Sequence, residues 1–153
     1  MIENKKAPSF KLKNKDGKII SLNNIKSDYI VVYFYPKDNT SGCTIEAKMF
    51  SKDLNKFKKI NTEIIGISGG DEKTKTRFVE KNNLKITLLS DPEFKVSTKY
   101  GVYGEKKMMG RTYMGIKRTT FILDKNKKII KIFNKVKPLI HSKEVYDFIV
   151  NLK

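Results

Sequence analysis

The sequence predicts an α/β fold in which a mixed central sheet is flanked by helices. Three observations carry this reading: a continuous β-branched and aromatic run at residues 29–35 (YIVVYFY), a helical period directly after it, and a second apolar run at 62–67 (TEIIGI). Strand, helix and strand of this length form a βαβ crossover, which makes the two strands parallel. The 153 residues fit one domain spanning 1–153. An apolar fraction of 39% argues for a folded chain despite a net charge of +17.

Residues 10–12 and 18–22 flank Asn14-Lys15-Asp16-Gly17, and Asp-Gly between two such segments signals a β-hairpin. The run 29–35 has the unbroken apolar character of a strand covered on both faces. Pro36 ends it, and Lys37 to Gly42 are mostly turn formers. Ile45, Met49, Phe50, Leu54 and Phe57 then recur at three-to-four spacing, predicting one amphipathic helix from Cys43 to about Lys59. After 62–67, Ser68-Gly69-Gly70-Asp71 supplies a loop and an N-cap for a helix to about Lys81, with Phe78 and Val79 inward. Residues 87–90 (TLLS) read as an edge strand, and Asp91-Pro92-Glu93 as the start of a short helix with Pro92 at its first position. Segment 101–115 holds four glycines and no clean period, so it reads as an irregular connection. Residues 119–123 and 128–133 form a hairpin, and 142–152 a terminal helix with Val145, Phe148 and Ile149 on one face. This order is a thioredoxin-like plan with an N-terminal β-hairpin extension.

Composition removes several function classes. One cysteine forbids an intramolecular disulfide, and one cysteine with one histidine cannot build a Cys/His zinc or iron–sulfur cluster. No metal and no cofactor are expected. No apolar run is long enough for a membrane span, and MIENKKAPSF lacks the apolar core of a signal peptide, so the chain is expected to be soluble and cytoplasmic. The +17 charge is compatible with a polyanion partner. Yet Arg77, Arg111 and Arg118 are the only arginines, and the lysines are scattered in short clusters such as Lys58-Lys59 and Lys106-Lys107. This pattern reads as background composition, and no specific nucleic acid is expected as a partner.

The junction of the 29–35 strand with its helix carries the chemistry. Sites in open α/β sheets form beyond the carboxyl ends of the strands, and Cys43 falls in the first turn of the following helix. Unpaired N–H groups and the helix dipole favour an anion there, which points to a nucleophilic thiolate. The competing reading is a small buried apolar residue. The polar or glycine residues just before Cys43 are expected to leave its sulfur accessible. Pro36 fixes the exit from the strand. Thr40, three residues before Cys43, is placed to cap the helix or touch a substrate oxygen, and Gly42 permits close approach of a ligand.

The stretch YFYPKDNTSGCTIEAKMF resembles the active-site segment of the peroxiredoxins, with Pro36, Thr40 and Cys43 matching the motif of Pro, three residues, Thr or Ser, two residues, Cys. The similarity is greatest to the bacterioferritin comigratory protein, or peroxiredoxin Q, subfamily. It continues through GISGGD and LLSDPEFKVSTKYGVYGEKKMMGRTYMGIKRTTFILD to the terminal helix. The resemblance implies reduction of hydrogen peroxide and organic hydroperoxides through a sulfenic acid at Cys43. It also implies that Arg118 is the active-site arginine, that Thr40 hydrogen-bonds the peroxide, and that Glu46 supports the network. His141 is expected on a loop before the last helix, with a surface or cap-adjacent role.

Many members of this family carry a resolving cysteine five residues after the first; that position here is Lys48. With one cysteine in the chain, the reductant must come from outside: thioredoxin, glutaredoxin with glutathione, another small thiol, or Cys43 of a second copy. A monomer or weak homodimer is expected. Two other classes stand beside the peroxidase reading. A non-catalytic thioredoxin-fold binding module would have no need to combine Pro36, Thr40, Cys43 and Arg118. A basic nucleic-acid-binding protein would use the charge directly, but would not bury Tyr33, Phe34 and Tyr35 in a strand.

Overall fold

The computed structural model describes residues 2–152, with Met108 described by its backbone alone. Its elements run β1 (Lys11–Asn14), β2 (Ile19–Ser21), β3 (Tyr29–Phe34), α1 (Ser41–Lys52), α2 (Leu54–Lys59), β4 (Thr62–Ser68), α3 (Glu72–Asn82) and β5 (Thr87–Ser90). They continue with α4 (Lys95–Lys99), β6 (Tyr103–Met108), β7 (Arg111–Ile116), β8 (Thr119–Asp124), β9 (Ile129–Phe133) and α5 (Pro138–Val150). Seven strands form a sheet in the order β2-β1-β5-β4-β3-β8-β9. The pairs β3–β4 and β4–β5 are parallel, and β8 lies antiparallel to β3. This is the predicted mixed sheet, with β3, α1–α2 and β4 forming the βαβ crossover.

The central strand shows why the run 29–35 is apolar throughout. Side chains alternate across a strand, so Ile30, Val32 and Phe34 enter one core while Val31, Tyr33 and Tyr35 enter another. The first core is closed by Phe10, Val96, Tyr100, Val102 and Ile116. On the opposite face Ala47 and Phe50 of α1, Phe57 of α2, Phe78 of α3, and Val145 and Ile149 of α5 complete the second. Both β1–β2 and β8–β9 form the predicted hairpins. The N-terminal hairpin extends the main sheet, because β1 pairs with β5.

Five expectations are corrected. The helix from Cys43 to Lys59 divides at Asp53, which ends α1 and precedes α2; apolar spacing alone does not register such a break. Strand β5 lies between β1 and β4, and the edges are β2 and β9. Pro92 sits in a turn ahead of α4, whose first N–H groups are met by Asp91: its carboxylate accepts from Val96 N at 3.3 Å and Ser97 N at 2.8 Å. The segment read as irregular forms the β6–β7 hairpin, closed by Met109 (φ 52°) and Gly110 (φ 79°). Positive φ at both central residues defines a tight hairpin turn, and β7 is exposed over most of its length, so no buried face imposes a period of two. Finally, α5 begins at Pro138 rather than Ser142, with proline in its first turn.

Candidate active site

Strand β3 delivers the chain to Pro36, and α1 starts five residues later with Thr40 in extended conformation as its N-cap. The first helical hydrogen bond runs from Thr44 N to the Thr40 carbonyl at 2.9 Å, so the N–H groups of Ser41, Gly42 and Cys43 precede the helical ladder. Thr40 does not cap with its side chain. Its hydroxyl donates to the Lys37 carbonyl at 3.0 Å, within the loop.

The Cys43 side chain is buried, at 1% exposure, which corrects the expectation of an accessible sulfur. Cys43, Ala47 and Phe50 recur at helical spacing on the inward face of α1. Polarity of the preceding loop therefore says little about the direction in which the thiol points.

Arg118 reaches this sulfur because of strand register. Phe34 pairs with Thr119 across β3 and β8, which brings the residue before Thr119 level with the exit of β3. The Arg118 guanidinium then spans two partners, with Nη2 3.4 Å from Cys43 Sγ and Nη1 2.9 Å from Glu46 Oε1. Gly42 makes room for it: a Cβ there would lie 3.1 Å from Nη2 and 3.6 Å from Pro138 Cγ.

Glu46, one turn beyond Cys43, is buried, and its Oε2 has no hydrogen-bond partner among the described residues. Burial pushes its carboxyl up to about 7, against the opposing pull of the Arg118 charge and hydrogen bond. Burial would lower the Arg118 guanidinium, but the charges of Cys43 and Glu46 outweigh it and raise it above its ordinary value. Tyr33 lies beneath the site with its phenol buried and likewise unpartnered. Burial first, then the nearby Glu46 charge, pushes that phenol well above its usual range.

Above these groups opens a cavity of about 500 Å³ lined by Pro36, Thr40, Gly42 and Arg118, with Phe94 and residues of the β6–β7 hairpin on the other side. The structure thus brings Pro36, Thr40, Gly42, Cys43, Glu46 and Arg118 to one place. No group of three or more His, Cys, Asp or Glu among the described residues could hold a metal ion, and no helix of the described residues is long and apolar enough to cross a membrane.

Two functional neighbours escaped the sequence. Lys75 is fully buried and donates to Asp38 Oδ2 at 2.9 Å, Ser68 Oγ at 2.8 Å and the Gly69 carbonyl at 2.6 Å. Tyr35 donates to the other Asp38 oxygen at 2.6 Å. The loop leading to Cys43 is therefore tied to β4 and α3. Spacing gives a trace of this, since Lys75 and Phe78 are three apart on one helix face. His141 lies not on a loop but inside α5, fully buried, with Nε2 2.7 Å from Thr120 Oγ1 and Nδ1 2.9 Å from Glu144 Oε1. Because α5 begins at Pro138, His141 falls within the helix.

Comparison with known proteins agrees with this fold. The AhpC/TSA family matches residues 4–132. The chain is 42% identical over 139 residues to the peroxiredoxin Bcp of Bacillus subtilis strain 168, covering 91% of this chain and 88% of that one. It is 38% identical over 145 residues to the peroxiredoxin Bcp of Escherichia coli K12, covering 95% and 90%. Among solved structures, the bacterioferritin comigratory protein of Xanthomonas campestris, studied for alkyl peroxide reduction, superposes with a TM-score of 0.87 at 30% identity over 94% of this chain and 91% of its own. BcpB of Mycobacterium tuberculosis gives 0.88 at 26% identity over 100% and 99%.

Proposed function

We propose a catalytic assignment for a chain that belongs to the AhpC/TSA family and is a peroxiredoxin, a thiol-dependent peroxidase: Cys43 is its peroxidatic nucleophile, with Arg118 and Thr40 as its partners. The observation that carries this assignment is the bridging guanidinium, 3.4 Å from Cys43 Sγ and 2.9 Å from Glu46 Oε1. A fixed cation beside sulfur is placed to pair with the nucleophile. The same planar fork holds further N–H donors for a peroxide oxygen.

In the proposed step the thiolate attacks one peroxide oxygen from the cavity over Gly42 and Arg118. An S–O bond forms and the O–O bond breaks. Sulfur is oxidised to the sulfenic acid, and the departing oxygen takes a proton and leaves as water or an alcohol. Charge grows on that oxygen, where preorganised donors are most effective. Thr40 already donates its hydroxyl proton to the Lys37 carbonyl, so its free lone pairs suit it to accept the peroxide O–H. Pro36 and Gly42 shape the wall, and Glu46 positions Arg118 rather than touching substrate.

The sulfenic acid then requires an external thiol, since the chain holds one cysteine. We assign this cycle to a single domain over 1–153, acting as a monomer or weak homodimer in the reducing cytoplasm, where a lone thiol stays reduced between turnovers. Reaction of the reduced protein with one equivalent of peroxide, followed by a sulfenate-specific trap, is expected to label Cys43. An unlabelled Cys43, or full peroxidase activity in Cys43→Ser, would overturn the assignment.

A further inference from the structure

Lys75 occupies an inward position of α3, one turn before Phe78, where an apolar side chain is the ordinary occupant. Its side chain has no exposed surface. A buried ion pair is costly to desolvate, and well-packed apolar residues in its place are often as stable or more so. Stability therefore gives little reason for a lysine here. What an ammonium with directed donors supplies instead is a fixed geometry.

All three of its protons have acceptors: Asp38 Oδ2 at 2.9 Å, Ser68 Oγ at 2.8 Å and the Gly69 carbonyl at 2.6 Å. The Asp38 carboxylate is nearly buried, and its other oxygen accepts from the Tyr35 hydroxyl at 2.6 Å. It is thus gripped from two sides, by the residue that follows β3 and by α3, and cannot swing without losing one grip. Asp38 adjoins Lys37, whose carbonyl accepts the Thr40 hydroxyl at 3.0 Å. A chain of contacts therefore runs from Lys75 to Asp38, across one peptide link to Lys37, and on to the Thr40 side chain. The second anchor of the ammonium, Gly69, lies against the Phe94 ring, and Phe94 lines the same cavity as Thr40.

We propose that Lys75 is a positioning residue for the peroxide step: through Asp38 it fixes the 37–40 loop, and with it the direction of the Thr40 hydroxyl ahead of Cys43. The inference rests on the roles assigned above to Cys43 and Thr40. Lys75 touches neither the sulfur nor the substrate. Its effect is on where the Thr40 lone pairs stand when a peroxide arrives, and a misplacement of about 1 Å at such a group costs up to about a hundredfold in rate.

Lys75→Met alone strands the Asp38 carboxylate and endangers the fold, so the test uses Lys75→Met/Asp38→Asn, which removes both charges together. Three quantities are measured: the urea midpoint, the stopped-flow rate constant for sulfenate formation, and hydrogen–deuterium exchange over residues 36–42. The midpoint is expected to stay near that of the parent while the rate constant falls about tenfold, with faster exchange confined to 36–42. In a Thr40→Val background the same double substitution should cost less than about twofold, because the group it positions is gone. A purely structural role would move the midpoint and show no such coupling to Thr40. A parental rate constant in the folded double variant, or an undiminished loss in the Thr40→Val background, would overturn the inference. If the double variant does not fold, Tyr35→Phe decides: it removes the other grip on Asp38 and keeps the ion pair. A loss of about threefold that vanishes in Thr40→Val is then expected, and a parental rate would overturn the anchor. Absence of sulfenate in the parent, with exchange over 36–42 still faster in the variant, would instead overturn the assignment of Cys43 and leave the loop anchor standing.

Discussion

At Cys43 a single side chain meets two opposing demands. Burial excludes water from the sulfur, while the Arg118 guanidinium stands 3.4 Å from it, the cation that the proposed nucleophile would pair with. Arg118→Lys keeps the charge but loses the fork that holds Glu46 and sulfur together, and a fall of about a hundredfold in the rate constant for sulfenate formation is expected by stopped-flow. Glu46 carries a pH signature. Its carboxyl is raised by burial to about 7 in the folded protein, so the folded state binds its proton more tightly than the unfolded chain does. That contribution is fully present at low pH and is lost as pH climbs from the ordinary carboxylate range through about 7. Glu46→Gln removes it. The melting temperature of the variant relative to the parent should therefore rise between pH 5 and pH 8, by an amount reflecting roughly 3 kcal/mol; a constant difference across that range would refute the assignment.

Among the elements, α1 and the loop before it decide the geometry. Gly42→Ala places a methyl group 3.1 Å from Arg118 Nη2, so the guanidinium must give by a few tenths of an ångström, while Pro138 Cγ at 3.6 Å is in ordinary contact. A rate loss of about tenfold with little change in urea midpoint is expected, since displaced catalytic groups cost more than displaced packing here. Lys75 acts on the same loop from α3. Lys75→Met leaves the Asp38 carboxylate buried without its cation, and a loss of about 3 to 5 kcal/mol in urea unfolding is expected. Adding Asp38→Asn should restore much of that stability. Burial also explains the limits of reading these elements in the sequence. The period-two and helical patterns of β3, β4, α3 and α5 are visible because each has a covered face. The β6–β7 hairpin has little covered face, and Lys75 breaks the rule that buried positions are apolar because the fold brings Asp38, 37 residues away, together with Ser68 and Gly69 around its ammonium.

For the molecule as a whole, one cysteine makes the catalytic cycle open-ended. With one equivalent of peroxide, the protein alone is expected to consume it once as the sulfenic acid, and turnover of further peroxide should require added thiol, with no intramolecular disulfide by mass spectrometry. Continued turnover without thiol would contradict the cycle. Excess peroxide without thiol should carry Cys43 on to the sulfinic acid and inactivate it.

The sequence by itself determined the α/β class, the mixed sheet, and the gathering of Pro36, Thr40 and Cys43, because these depend on local periodicity, turn chemistry and short spacing. It also pointed, through resemblance, to Arg118 and Glu46. The tertiary structure alone decided that the sulfur is buried, that His141 and Lys75 lie in the interior, and that a cavity opens over Gly42 and Arg118. Each of those facts depends on the register of β3 against β8 or the packing of α3 and α5 on the sheet, which joins residues as far apart as Cys43 and Arg118 and leaves no trace in local pattern.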